Sequence, residues 1–255
     1  MQEEQRISLK EKSSGKIDKV KKLSWRSVLG IFILVVLIPA TLLISWQFSD
    51  RKFYLTSLIV ILLSMAPFFM MFEKRKPQAR ELVILAVMCA IAVASRVAFI
   101  WLPHFSPIIA IIMISGIAFG HEAGFMIGSI SALVSNFIFG QTMNTPWQMF
   151  AYGMAGLIVG LLYEKGLLSK KKFSFCAWAF VIRMIVGLIL DTGVILISTG
   201  MVDPNSSIWA VYLAGVPVNF MQSVATIITI IFVATPMFEK LDRIKTKYGM
   251  TEDLK

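Results

Sequence analysis

Long apolar runs, broken by short polar or basic blocks, dominate the chain from residue 28 onward. A helix needs about 20 apolar residues to cross the hydrocarbon core of a bilayer. Eight runs approach that length, at roughly 28–46, 53–72, 82–101, 105–120, 122–140, 147–163, 174–199 and 207–235. The pattern predicts an all-α integral membrane protein. The fourth and fifth runs are joined by little more than Gly120-His121-Glu122, which demands a sharp turn. The last two exceed the needed length, as expected of tilted helices or of turns that continue beyond the core. The first run follows a basic tail as a signal peptide would, but its apolar core is too long and no small-residue cleavage site follows it. It reads as a retained helix.

The runs differ in kind. The first two are bulky and greasy, as lipid-facing helices are, and the block Glu73-Lys74-Arg75-Lys76-Pro77 separates them from the rest. Later runs carry small residues at helical spacing: Ala86, Ala90 and Ala94, then Gly124, Gly128 and Ala132, then Gly156 and Gly160. Small residues four apart share one helix face and let a second backbone approach closely. For the two glycine stripes internal packing is expected. For the alanine stripe, internal packing and docking of a second membrane protein stand equal. The expected organisation is a cytoplasmic arm (1–26), two appended transmembrane helices (27–73), a six-helix membrane domain (80–238) and a cytoplasmic tail (239–255).

Polar groups interrupt the later runs at few places. From Glu122 to Glu164 no charged residue occurs, yet the centre of that stretch holds Asn136, then Gln141, Asn144, Trp147 and Gln148, with Tyr152 a turn later. Two helices would place this hairpin at one membrane face, where amides and an indole bind by hydrogen bonding and stacking. Trp147 also fits an interfacial belt, and Asn144 with Pro146 also fits a plain turn. Asn136 and Gln148 begin or end a span where apolar residues would cost less. Arg96 and Asp191 fall near the outer ends of their runs. Charges inside a bilayer are costly and face a cavity or one another, so ligand contact and a mutual ion pair are both open. Arg183 lies deeper and needs an internal partner; Asn219 and Gln222 sit at comparable depth with carbonyl oxygens to offer.

Composition sharpens this picture. Hydrophobic residues make up 57% and charged residues 16%, well outside the balance of a soluble domain. The net charge of +10 does not point to nucleic acid, because nearly all Lys and Arg fall in the tails and in alternate loops. Only Arg51 and Lys52 lie on the opposite side, a bias that predicts both termini in the cytoplasm. Cys89 and Cys176 sit inside apolar runs without metal-ligand spacing, and His104 and His121 are single. There is no phosphate-binding loop, HExxH or nucleophile–His–acid set. No enzyme activity, cofactor or metal is expected, and without a nucleotide site the chain cannot power pumping itself.

The stretch from Arg80 to Leu162 resembles the substrate-binding S components of energy-coupling factor (ECF) vitamin transporters. The likeness rests on Ala86/Ala90/Ala94, on Leu102-Pro103 with Pro107, on Gly120-His-Glu-Ala-Gly124, on Asn136-Phe-Ile-Phe-Gly-Gln141 and on Thr145-Pro-Trp-Gln-Met-Phe150. It implies a six-helix bundle over about residues 80–238, with the two N-terminal helices as an addition. It also implies that Ala86, Ala90 and Ala94 dock on a transmembrane T component, that two ATPase subunits supply energy, and that the S component topples to release its cargo. The hairpin is most similar to the cobalamin-linked branch, while the lack of basic residues on the outer loops disfavours a phosphorylated ligand. In this reading Arg96, Asn136, Gln141, Asn144 and Gln148 hydrogen-bond the vitamin, Trp101, Trp147 and Tyr152 stack on it, and Asp191 and Asn219 complete the site. The competing expectation is a secondary transporter working alone, with Asp191 and Arg183 as an intramembrane relay. A membrane enzyme is a third, disfavoured by the missing catalytic sets.

Overall fold

The computed structural model describes residues 79–170, 172–198 and 208–247, together with Met65. The two appended N-terminal helices, Met65 apart, and the loop after the seventh run lie outside the described residues. Among the described residues every regular element is helical: α1 (Ala79–Ala98), α2 (Ile108–Phe119), α3 (His121–Phe139), α4 (Thr145–Glu164), α5 (Lys172–Ser198) and α6 (Ile208–Thr229). A π-helical turn (Ile230–Ala234) carries α6 directly into α7 (Thr235–Lys247). Four helices are long and apolar enough to cross a membrane: α1, α3, α5 and the continuous body Ile208–Lys247. α4 has 20 residues but opens on the polar Thr145-Pro146-Trp147-Gln148. The protein is a multi-pass membrane protein.

The centre of the bundle is α2. All of its residues are buried, from Ile108 to Phe119, and α1, α3, α4, α5, α6 and α7 all touch it. Its uniform apolarity follows from this position, since a helix with no solvent face needs no polar stripe. It is also shorter than the expected span 105–120, at 12 residues. That is about 18 Å of rise against a hydrocarbon core of roughly 30 Å, so α2 reaches only part of the way across. A helix wrapped by its neighbours gains its burial from protein and need not match the bilayer. Its lone polar group, the Ser115 hydroxyl, donates to the Ile111 carbonyl one turn back at 2.7 Å.

The sharp turn expected at Gly120 is present. Gly120 adopts φ 89°, a left-handed conformation that side chains disfavour, and its N–H donates to the Gly116 carbonyl at 3.0 Å. α3 then starts at once and runs back beside α2. α3 and α4 form the most extensive helix pair, and glycine is the reason. A β-carbon on Gly124 would fall 2.7 Å from the Gly156 carbonyl oxygen, and one on Gly156 would collide with the Gly124 carbonyl. One on Gly128 would strike the Tyr152 carbonyl, and one on Gly116 would lie 2.8 Å from Val159 Cγ1. Both glycine stripes therefore pack internally. Lipid offers helices no hydrophobic drive to associate, so close backbone contact through small residues is the main source of attraction.

At the far end, α7 continues the last helix through the boundary expected at residue 238. It is amphipathic: Phe238 and Leu241 are buried while Glu239, Lys240, Asp242 and Arg243 are exposed. Phe238 packs on Phe175 of α5 at 6.0 Å between ring centroids, and Lys170 pairs with Asp242 at 3.2 Å. This apolar footing holds a helical turn that charge composition alone assigned to a tail.

The glycine seam is testable. Gly156→Leu should lower the melting temperature in detergent by at least what overpacking normally costs, about 1–3 kcal/mol, because backbone rather than a side chain must give way. Gly166 has φ 73° with nothing near its missing β-carbon, and Gly166→Asn, suited to that conformation, should leave melting unchanged. Equal melting of Gly156→Leu and the parent would refute the seam.

Candidate functional site

Two polar clusters break the apolar bundle, and the structure divides the expected binding residues between them. The first ties the tops of α1, α3 and α4 together. Near the end of α1, Arg96 Nη1 donates to Ser135 Oγ at 2.6 Å and to Asn136 Oδ1 at 3.1 Å. Its guanidinium also lies 4.3 Å from the centre of the Phe139 ring, a cation–π contact. Asn136 in turn donates from Nδ2 to Thr145 Oγ1 at 3.1 Å and to Gln148 Oε1 at 2.7 Å. Both amide protons and one carbonyl lone pair of this buried side chain are thus committed. Gln141 folds back so that Nε2 donates to the Leu133 carbonyl at 3.2 Å, tying the hairpin to the last two turns of α3. Thr145 closes the hairpin, its Oγ1 accepting from the Thr142 N–H at 3.1 Å, and Pro146 suits the first turn of α4.

The second cluster lies where α4, α5 and α6 meet. Asn219 is buried, and its Nδ2 donates to Asp191 Oδ2 at 2.8 Å. The pairing is possible because each polar group faces a glycine. A β-carbon on Gly187 would strike the Asn219 amide, and one on Gly215 would fall 2.9 Å from Asp191 Oδ1. At the next position of α5, Thr192 Oγ1 shares a hydrogen bond of 2.8 Å with Tyr212 Oη. Next comes Gly193, where a β-carbon would lie 2.7 Å from Trp147 Cγ and 2.9 Å from Asn144 Oδ1. Trp147 is therefore a buried packing residue between α4 and α5 rather than an interfacial belt. Arg183, one helical turn before Gly187 on the same face of α5, is buried beside the cluster.

The expected residues thus take three positions. Arg96, Asn136, Gln141 and Gln148 belong to the first cluster. Asn144, Trp147, Tyr152, Asp191 and Asn219 border the second. Trp101 stands apart, 89% exposed in the turn after α1. Arg96 and Asp191 do not form an ion pair; each is engaged by amides on a different helix. Arg183 does not draw on Asn219 either: the Asn219 amide nitrogen donates to Asp191, and Arg183 Nη1 has no acceptor. Sequence reasoning placed Arg183 in an internal polar network or, in the competing expectation, in a relay with Asp191, and did not single out Ser135, Gly187 or Gly215. The depth of a lone guanidinium was the available signal for Arg183. For Gly187 and Gly215 no signal exists until the facing helix is known.

Residues 76–242 match the family model of the ECF-type riboflavin transporter S component. The chain belongs to that family. No curated protein and no solved structure matches it. S components are the substrate-binding subunits of vitamin transporters, a transporter family rather than an enzyme family, and they work with T and ATPase modules. On this S component the outer face of α1 is open. Ala86, Ala90 and Ala94 are all exposed, while Leu85, Met88, Cys89, Ala92 and Val93 point inward. Beside the alanines, an apolar groove of about 340 Å³ runs between α1 and α3, lined by Leu82, Leu85, Ala86, Cys89, Ala90, Met126, Ile127, Ile130 and Val134. On its floor the Cys89 thiol donates to the Ile127 carbonyl, with sulfur and oxygen 3.7 Å apart.

The first cluster should behave as a structural clasp. A double-mutant cycle on Arg96→Met and Asn136→Leu, read by thermal unfolding, should give a coupling of about 1.5–3 kcal/mol, as for hydrogen bonds to a charged group. Additive effects of the two substitutions would show that the clasp contributes nothing.

Proposed function

We propose that this S component captures a flat, ring-based vitamin of the riboflavin type from outside the cell and delivers it inward with a T component and two ATPase subunits. The single observation that carries this reading is the polar cluster between α4, α5 and α6, in which Arg183, Asn219 and Tyr152 are buried and Asn144 and Asp191 half-buried. A bilayer-spanning bundle that needed only stability would fill that space with apolar side chains, because polar groups at such depth are costly and tend to mark a substrate path. Asn144, Tyr152, Asp191 and Asn219 supply hydrogen-bonding groups there, and Trp147 and Tyr152 supply aromatic surface. Arg96, Asn136, Gln141 and Gln148 fix the hairpin over the site, and Trp101 stands on an exposed turn beyond the end of α1. The placement of Lys and Arg supports cytoplasmic termini, which turns the hairpin outward.

The family description favours a flavin over the cobalamin expected from the hairpin, and cobalamin becomes the competing ligand in the assay. The exposed alanine stripe and its groove support T-component docking at α1, since small residues allow a partner helix to approach closely. The chain carries no nucleotide-binding loop, so energy has to come from the ATPase partners.

Purified alone in detergent, the full chain should carry or bind riboflavin at near 1:1 stoichiometry by native mass spectrometry, with cobalamin failing to displace it. Tight cobalamin binding without flavin binding would replace the ligand. Robust uptake by the chain alone in ATP-free liposomes would overturn the S-component mechanism in favour of a secondary transporter. Ala90→Trp should leave vitamin binding intact and abolish ATP-dependent uptake by the reconstituted complex. Loss of binding as well would mean that the face supports the bundle rather than docking.

A further inference from the structure

Among the described residues, the buried guanidinium of Arg183 has a nitrogen without a hydrogen-bond partner. Arg183 is only 4% exposed, and its Nη1 is sealed from solvent without a hydrogen-bond acceptor. Asp191, on the same helix, is held by Asn219 Nδ2 at 2.8 Å and lies eight residues away, roughly 12 Å of helical rise. A guanidinium stays protonated in proteins, so Arg183 cannot escape by becoming neutral, and a buried charge without a hydrogen-bonded counterpart is strongly destabilising. Buried polar groups are nearly always satisfied, and one that is not calls for an explanation.

A second such atom lies toward the hairpin. Asn144 Oδ1 is also buried without a partner, beside Gly193 and the Trp147 ring. The two orphans are chemically opposite: Arg183 offers N–H groups and needs an acceptor, while Asn144 Oδ1 needs a donor. Both border α5, one at Arg183 and one at the level of Gly193, roughly 15 Å apart along the helix axis. Tyr152 lies near the first and Trp147 near the second.

We infer that Arg183 and Asn144 hold opposite ends of one ligand, with an acceptor group at Arg183 deep in the bundle and a hydroxyl or N–H donor at Asn144 under the hairpin. The inference rests on the reading of this cluster as the vitamin site. For a flavin it assigns the carbonyl-bearing end of the ring to Arg183 and the hydroxylated side chain to Asn144. Arg183 is then the specificity-determining residue for the ring, and Asn144 for the tail. The unmet guanidinium favours a ligand that brings an acceptor, because the acceptor relieves a cost already present in the folded chain.

The test compares the full chain with Arg183→Met, Arg183→Lys and Asn144→Leu, using riboflavin and lumiflavin, which has the same ring but a methyl group in place of the hydroxylated chain. Without ligand, Arg183→Met should melt at or above the parent temperature, since it removes an unmet charge. It should weaken both flavins at least tenfold, and Arg183→Lys, which keeps a donor, should weaken them less. Asn144→Leu should weaken riboflavin tenfold and leave lumiflavin unchanged. Arg183→Met that melts lower or fails to fold, or that binds both flavins like the parent, would overturn the inference by making Arg183 structural or irrelevant. A loss confined to riboflavin in Arg183→Met would overturn the orientation. If the parent binds neither flavin, the choice of vitamin falls, while the ligand-free melting comparison still decides whether Arg183 is an unmet binding group.

Discussion

The rest of the structure depends on the approach of three backbones. α2, α3 and α4 come so close at Gly116, Gly124, Gly128 and Gly156 that no β-carbon would fit between them. In lipid, where burying another leucine gains little over leaving it among acyl chains, such contact replaces the hydrophobic effect as the organising attraction. It also sets where polar groups can meet. With α3 and α4 in contact along their length, Asn136 reaches Thr145 and Gln148 on the other side of the hairpin, and Arg96 closes the top of α1 over both. The buried α2 is the geometric consequence: a short helix around which the longer ones are arranged.

The two polar clusters play different parts because their hydrogen bonds close differently. The clasp at the hairpin is close to saturated. Such a network is rigid, and it serves best as a frame. The cluster between α4, α5 and α6 is saturated on one side, where Asp191 and Asn219 fit into the spaces left by Gly215 and Gly187, and open on the other, where Arg183 Nη1 and Asn144 Oδ1 lack partners. A bundle that pays for buried polarity without completing it is arranged for something that completes it. This difference underlies the proposed division of labour, in which the clasp frames the hairpin and the open cluster takes the ligand.

The alanine face of α1 contrasts with both. Its stripe resembles the glycine stripes in sequence spacing, yet Ala86, Ala90 and Ala94 face outward while Gly124, Gly128 and Ala132 are buried. Small residues at a spacing of four promise a close contact without naming the partner. On α3 the partner is α4 of the same chain; on α1 no described helix of the chain covers the face. Among the described residues this is what supports the T-component docking proposed for α1.

By itself the sequence determined the helical membrane fold, the turn at Gly120, the internal use of the glycine stripes and membership of the S-component group. These follow from local properties: run length, glycine spacing and short motifs act within a few residues of themselves. Only the tertiary structure decided which amides are occupied and which charge is left alone. Nothing local in the chain shows that Asn136 and Gln148 face each other. Arg183 looks like a supported structural residue, because Asn219 stands at its depth. The outcome turned on how α6 packs against α5: Gly187 and Gly215 admit Asn219 and Asp191 to each other, and that packing joins residues far apart in sequence.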